Sequence, residues 1–182
     1  MALAYAHGPS NSQSTSPNIC IFRLLLRIIK TVRPDFCFTS VRLNNNYSAA
    51  MHTDAGNQGP SVLMAFGEFE QGRIWVYEPG GPDQVEAPGP IRRFPRWTKG
   101  LAVSGRWHDP RYVNNTRGLL FNGHTAHMVE QFFGTRWSAV FFSIATDRPV
   151  RPRVRDTLRA LGVPLPPALE GPRAGRFGVY YS

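Results

Sequence analysis

The sequence is poor in cysteine, in long apolar runs and in acidic side chains, and each shortage narrows the class of protein. Cys20 and Cys37 are the only cysteines among 182 residues, which excludes a disulfide framework or a zinc-finger pattern and favours a reducing compartment. No apolar run reaches the roughly 18 residues that a membrane-spanning helix needs. Asp and Glu total 12 against 21 Lys and Arg, and the resulting charge of +9 favours a polyanionic partner or surface without fixing the fold.

The start of the chain contains no acidic residue before Asp35. Residues 1–18 are small, polar and rich in Ser and Asn, so we predict a disordered tail. This composition is loosely similar to an organelle transit peptide, but a segment that simply precedes a domain is the favoured interpretation. A second tail, rich in Pro and Gly, is predicted over residues 163–182.

Two segments have the pattern of helices. Residues 19–33 are mostly apolar, and Arg23, Arg27 and Lys30 recur at spacings of four and three, which places them on one narrow stripe. This helix is too short to span a bilayer, and we expect its wide apolar face to pack against a sheet. Residues 150–161 carry arginines among apolar residues and are predicted to form a terminal helix.

Between these helices, short β-branched or aromatic runs alternate with clusters of Gly, Pro and Asn over residues 36–143. Frequent turn signals predict a mainly β fold, a sandwich or barrel within one domain of residues 19–162, instead of alternating β/α units. The predicted strands are Phe36–Leu43, Ala49–His52, Ser61–Phe66, Arg73–Tyr77, Leu101–Val103, Leu119–Phe121, His127–Glu130 and Trp137–Ser143.

The segment His52-Thr53-Asp54 is the strongest candidate for chemistry. Alternate side chains share a face of a strand, so we expect His52 and Asp54 to point the same way. An imidazole and a carboxylate are two of the three ligands of a facial metal site, whose third ligand would be a second histidine and whose metal would be non-haem Fe(II). His-x-Asp alone is a weak signal, because a solvated turn pair is commoner.

The remaining parts of such a site lie downstream. His127 opens a predicted strand after a Gly-containing turn, a position from which it could reach the metal. After a further turn, Arg136 and Ser138 are predicted to share one face of the next strand. A planar guanidinium with a hydroxyl beside it suits the binding of a carboxylate.

Taken together, these five side chains resemble the site of the Fe(II)/2-oxoglutarate-dependent dioxygenases, in which a His-x-Asp is followed by a distant His and then by an Arg, often in Arg-x-Ser. The resemblance covers about residues 36–143. It implies a double-stranded β-helix, or jelly-roll, barrel with flanking helices at both ends, and Fe(II) bound by His52, Asp54 and His127. It also implies 2-oxoglutarate held by Arg136 and Ser138, O₂ as a reactant, and substrate hydroxylation with succinate and CO₂ as co-products.

The resemblance suggests further roles. Family members often place polar groups that contact the cosubstrate just before the His-x-Asp segment, and Asn44 and Tyr47 are the candidates here. His124 competes with His127 as the third ligand. The interval of nine residues between His127 and Arg136 favours His127, and His124 would then be a neighbouring pocket group.

The substrate is left open by the sequence. The segment Arg92–Lys99 interleaves cations with aromatics, which suits phosphate contacts and base stacking in a nucleic acid but equally a solvated loop whose aromatics fold back on the core. The surroundings of His52, including Asn57, Gly59 and Ser61, weakly resemble oxygenases of thymine or 5-methylcytosine in DNA, although Asn57 and Ser61 could simply close the turn. The chain lacks the large insertions of those base-flipping enzymes. A prolyl-type or small-molecule hydroxylase fits a compact core equally well, and a non-catalytic binding module on the same barrel is a candidate of a different class.

Overall fold

The structure, a computed structural model, describes residues 18–111, 118–144 and 152–166, together with the backbone of two short strands near the start of the chain. These strands, β1 (Ala4–Tyr5) and β2 (Pro9–Ser10), pair antiparallel. The remainder of each predicted tail lies outside the described residues. Within the described part, no helix has both the length and the apolar character needed to cross a membrane.

The described chain is mainly β, with antiparallel sheets and one helix near each end, as the composition and turn pattern predict. The elements are α1 (Ile19–Val32), β3 (Ser40–Asn45), β4 (Asn57–Phe66), β5 (Phe69–Gln71), β6 (Ile74–Tyr77), β7 (Asp83–Glu86), β8 (Ala102–His108), β9 (Leu119–Phe121), β10 (His127–Val129), β11 (Phe132–Gly134), β12 (Trp137–Ile144) and α2 (Pro152–Ala160).

Two four-stranded sheets form the body of the fold. The first has the order β3-β12-β4-β9 and the second the order β10-β6-β8-β7, while β11 and β5 form a separate pair. Leu63 and Phe121 from the first sheet share one apolar cluster with Ile74 from the second. Because side chains alternate between the faces of a strand, this cluster marks the inner faces of both sheets.

The outer face of the first sheet is covered by α1. Phe22, Leu25 and Ile29 of the helix are buried in one cluster with Val62 and Phe141 of the sheet. Burial of each such side chain stabilises the fold by roughly 1.5–3 kcal/mol, which accounts for the docking of a helix with no side-chain cap at its start. The basic stripe of α1 is exposed, as its spacing predicts.

The same cluster also includes the C-terminal part of the described chain. Val154 and Leu158 of α2 are buried there, together with Val163 and Leu165 from the start of the predicted Pro- and Gly-rich tail. Phe38 donates its backbone N–H to Pro164 O over 3.0 Å. This bond explains why strand β3 begins at Ser40 and not, as predicted, at Phe36.

The outer face of the second sheet carries a separate aromatic cluster. Trp75 is fully buried there, and Tyr77, Phe94 and Trp97 pack around it. Gly105 lies beneath the indole of Trp75, where any Cβ would collide with the ring. Phe94 and Trp97 belong to the loop of residues 87–101, so this loop closes the cluster from outside.

Several predicted strands need correction. Residues 49–52 do not form a strand, and only His52 makes an isolated β-bridge, to His127. The short strands β5, β7 and β11 were not predicted, because turn residues interrupt each of them too soon for a period of two to emerge. The strand predicted at Leu101–Val103 continues to His108.

Candidate metal centre and adjoining cavity

The side chains of His52, Asp54 and His127 converge at one end of the two sheets. One ligand atom from each lies within 4.8 Å of the others, and they form the one such group of metal-binding side chains in the described residues. His127 begins β10 and exchanges two backbone hydrogen bonds of 3.0 Å with His52. Asp54 lies in the following loop, where its N–H donates to Gly123 O over 2.7 Å.

The convergence therefore has a different cause from the predicted one. Strand alternation does not place His52 and Asp54 on one face, because only His52 takes part in a bridge. Two backbone attachments do so instead, one from His52 to the start of β10 and one from Asp54 to the turn before it. Both attachments reach the same short segment, residues 123–127, which also supplies the second histidine.

The two imidazoles are oriented by backbone carbonyls. His52 Nδ1 lies 2.7 Å from Ala50 O, and His127 Nδ1 lies 2.8 Å from Thr125 O. A carbonyl oxygen can only accept, so each Nδ1 is the donor, and in the neutral ring the Nε2 lone pair is left free. This arrangement is the usual support of a metal-bound histidine.

The free Nε2 atoms face the carboxylate of Asp54. His52 Nε2 is 3.6 Å from Oδ1, and His127 Nε2 is 3.7 Å from Oδ2. Burial lowers the pKa of His127, and the neighbouring His52 acts in the same direction, while the Thr125 carbonyl and Asp54 oppose them. Neutral imidazoles and a carboxylate around one point suit a divalent cation, and this donor set is used by both Fe(II) and Zn(II).

Asp54 is itself held in place from behind. Asn57 is buried and donates from Nδ2 to Asp54 Oδ2 over 3.0 Å and to Ser61 Oγ over 3.2 Å. A Cβ on Gly123 would lie 2.8 Å from Asn57 Nδ2 and 3.0 Å from Asp54 Oδ2, so a larger residue there would displace the carboxylate. Asn57 and Ser61 thus orient a candidate ligand, besides closing the turn through the backbone bond from Asn57 N to Asp54 O.

A cavity of about 230 Å³ adjoins the three ligands. Its walls include Asn44, Tyr47 and Ser138, which the sequence nominated as cosubstrate contacts, and Arg42, which it did not. Arg42 Nε donates to Asn44 Oδ1 over 3.0 Å, and Asn44 Nδ2 donates to Ser138 Oγ over 3.4 Å. Arg42 and Asn44 are two residues apart in β3, so their side chains lie on the same face of the strand. The sequence could therefore have predicted Arg42 as a wall residue once Asn44 was chosen.

Arg136 lies apart from this wall. It immediately precedes β12, it is 1% exposed, and it is not among the residues that line the cavity. Its guanidinium carbon lies 5.5 Å from the ring centres of both Phe69 and Phe132, and Gly72 leaves room beside its Nε. The structure therefore brings Ser138, but not the predicted partner Arg136, to the cavity.

The guanidinium of Arg136 is nevertheless short of partners. Its Nε and Nη2 are buried and have no hydrogen-bond acceptor among the described residues. Burial lowers its pKa, while the charge of Asp109 opposes the shift, but that carboxylate is paired with Arg111. An unpaired buried guanidinium is costly, so an anion is the natural missing partner.

His124 occupies the turn before β10 and does not belong to the group of three ligands. Its backbone N–H donates to Asn122 Oδ1 over 3.0 Å, and its Nε2 is buried without a partner in the described part of the chain. The structure thus places His127, and not His124, beside His52 and Asp54.

No family model matches this chain, and no curated protein matches it in sequence.

Proposed function

We propose that this protein is an Fe(II)- and 2-oxoglutarate-dependent dioxygenase that hydroxylates a substrate and forms succinate and CO₂. The observation that carries the proposal is the orientation of His52 and His127. Each Nδ1–H donates a hydrogen bond to a backbone carbonyl. The two Nε2 lone pairs and the Asp54 carboxylate therefore face one point beside a polar cavity.

The metal in this proposal is Fe(II), held by His52, Asp54 and His127. Two histidines and one carboxylate on one side of an ion leave its other positions open to small ligands, which is the arrangement of non-haem iron oxygenases. When bound, Fe(II) with 2-oxoglutarate and O₂ supplies the oxidising chemistry. Asn57 and Gly123 contribute by fixing the direction of the Asp54 carboxylate.

The cosubstrate in this proposal occupies the cavity next to the ligands. A dicarboxylate needs donors and positive charge, and the wall offers Arg42, Asn44 and Ser138. Arg136 does not line this cavity, and the support for its predicted role as a clamp on the far carboxylate is that its buried Nε and Nη2 have no acceptor among the described residues. Apolar wall residues such as Leu63 and Ile74 limit water around the bound acid.

We further propose that the fold is the double-stranded β-helix that such enzymes use. Two facing four-stranded antiparallel sheets, with helix α1 on the outside of one and the candidate metal centre at one end, support this architecture. The sheet order interleaves early and late strands, as in β3-β12-β4-β9, which suits a jelly roll better than a simple meander.

The test is the conversion of 2-oxoglutarate to succinate by protein reconstituted anaerobically with Fe(II) and then exposed to O₂. We expect succinate with iron, none with zinc in its place, and none in Asp54→Ala, which removes the carboxylate ligand. His124→Ala is the matched control and should retain turnover. Succinate that forms equally in Asp54→Ala, or only a stable zinc complex without turnover, would contradict the proposal and favour a binding module.

A further inference from the structure

The loop of residues 87–101, which we call the basic loop, is attached directly to the candidate metal centre. Thr53 lies between the ligands His52 and Asp54, and its Oγ1 donates to the backbone O of Arg92 over 3.2 Å. The loop is closed at its neck by hydrogen bonds from Ala87 N to Leu101 O (2.8 Å) and from Gly100 N to Ala87 O (3.0 Å). It therefore has a fixed position beside the site.

The aromatic residues of the basic loop point into the protein. Phe94 and Trp97 stack at 4.3 Å between ring centres, and both contact Tyr77 edge-on. They belong to the buried cluster that includes Met51, the residue before His52. These rings hold the loop in place and are not free to stack on a base, so base stacking by the loop is not supported.

The cations of the basic loop point outward. Arg92, Arg93, Arg96 and Lys99 are all exposed, and the loop contains no acidic residue. None of the four makes an ion pair with any described residue.

Three arginines in or close to the strands of the second sheet behave differently. Arg73, Arg106 and Arg111 are each paired with a carboxylate, those of Glu130, Glu78 and Asp109 respectively. Apart from Arg42 on the cavity wall and the buried Arg136, the cations near the site that make no ion pair with a described residue are those of the basic loop.

We propose that the basic loop binds the phosphate backbone of a single-stranded nucleic acid and leads that strand across the metal-site cavity. The choice of substrate class rests on the proposed function, whereas the binding itself does not. Arginine forks match phosphate oxygens well, and the net charge of +9 favours a polyanion. Base recognition then falls to the cavity, where Tyr47 offers an exposed ring with the Arg42 guanidinium carbon 5.9 Å from its centre, a pair on which a base can stack.

A single strand fits these observations better than a duplex does. The reacting group of a base must reach ligands that line a cavity, and a paired base would first have to be extruded, at a cost of a few kcal/mol. A single strand avoids that cost. Because Phe94 and Trp97 pack inward, the loop has no aromatic ring available to stack on a base outside the cavity. Contact with the phosphate backbone is therefore the role that the loop can fill.

The experiment measures binding of a labelled single-stranded DNA oligonucleotide to the full chain at about 50 and 200 mM salt, without iron or 2-oxoglutarate. The test variant replaces Arg92, Arg93 and Arg96 by Gln. The control replaces Arg23, Arg27 and Lys30 of α1 by Gln, which removes the same charge from a helix on the outer face of the other sheet.

We expect the loop variant to lose most of the salt dependence and the helix variant to keep it. Each phosphate contact with a single strand contributes about 0.7 to the slope of log affinity against log salt, so three contacts contribute about 2. Over this fourfold salt range, wild type should lose roughly 15-fold more affinity than the loop variant. Poly-glutamate and anionic vesicles, as other polyanions, should bind more weakly than DNA.

Equal effects of the loop and helix variants would overturn the proposal, as would preferential binding of poly-glutamate, of vesicles or of duplex DNA. Succinate formation from 2-oxoglutarate, followed in parallel, separates this outcome from failure of the proposed function. Absence of DNA binding by the wild-type protein, with iron-dependent turnover present, would refute the loop proposal alone. Salt-dependent binding through the loop without any turnover would refute the dioxygenase and leave a nucleic-acid-binding protein.

Discussion

The orientation of each imidazole at the candidate metal centre is set by one short hydrogen bond to a backbone carbonyl. We expect His127→Ala to lower Fe(II) affinity more than the roughly 10- to 100-fold typical of losing an orienting group, since it removes a ligand. Asn57→Ala should fall within that range, because it frees the Asp54 carboxylate to rotate. Anaerobic Fe(II) titration measures both. His124→Ala is the control and should keep Fe(II) affinity. Undiminished Fe(II) binding in His127→Ala would show that the third ligand is a different residue.

Two arginines compete for the far carboxylate of the proposed cosubstrate. Two guanidinium nitrogens of Arg136 are buried without an acceptor among the described residues, so Arg136→Ala should weaken 2-oxoglutarate binding by about 2–5 kcal/mol while Fe(II) binding is kept. Arg136→Lys should not restore it, because an ammonium cannot replace a planar fork. Arg42 is exposed and already bound to Asn44, so Arg42→Ala should cost much less. Calorimetric titration with 2-oxoglutarate measures the affinity of each variant. A larger loss in Arg42→Ala than in Arg136→Ala would show that Arg42 binds the far carboxylate.

At the scale of elements, the sequence predicted what depends on local pattern. Helix α1 and strands β6, β9 and β12 follow from periodicity within one or two residues, since their faces are buried against well-defined partners. By residue type and order, the sequence nominated the three side chains that the structure brings together, but the reason given, strand alternation at His52, was wrong. The bonds that actually align them join residues more than 60 positions apart, and no local pattern encodes these.

The position of the Arg136 guanidinium could not be predicted from the sequence either, because it also depends on residues distant in the chain. Alternation gives the face of a strand but not the depth at which a long side chain ends. The guanidinium lies between aromatic rings of β5 and β11. These strands have three residues each, which is too short for a period of two to predict them from the sequence. The sequence also could not decide whether the aromatic residues of the basic loop face solvent or the core, because the packing of Phe94 and Trp97 depends on the distant Tyr77.

The pairing of β6 with β10 near the site is reinforced by an ion pair. Glu130 accepts from the backbone N–H and the guanidinium of Arg73, which lowers the pKa of the Glu130 carboxyl. A lowered native pKa means stabilisation that is present above the unfolded value of about 4.3 and is lost as the pH falls through the native value.

Glu130→Gln should therefore lower the free energy of unfolding at neutral pH by at most about 1 kcal/mol, since Arg73 is half-exposed and solvent screens the pair. The difference from wild type should vanish at acid pH. Urea unfolding at several pH values measures it, and Glu70→Gln, at an exposed carboxyl on the β5–β11 pair, is a suitable control. A difference that persists unchanged at low pH would show that the loss of stability does not come from the charge of the Glu130 carboxylate.

At the scale of the whole molecule, one group of exposed cations lies beside the candidate metal centre and another, Arg23, Arg27 and Lys30, lies on α1. The candidate metal centre, its cavity and the unpaired cations of the basic loop adjoin one another, while α1 covers the opposite sheet. Under the proposal for the basic loop, these cations would attract an anionic strand toward the cavity over distances set by the Debye length, about 8 Å at physiological salt. The proposed function requires that His52, Asp54 and His127, together with the cavity, hold Fe(II) and 2-oxoglutarate.

The most direct measurement of that claim is an anaerobic titration of the protein with Fe(II) and 2-oxoglutarate, followed by visible absorption, because it requires no knowledge of the substrate. An iron-bound 2-oxo acid gives a charge-transfer band that neither component gives alone. We predict a band that saturates at one iron per chain, disappears in Asp54→Ala and persists in His124→Ala. Absence of the band in wild type with iron bound, or its survival in Asp54→Ala, would contradict the account.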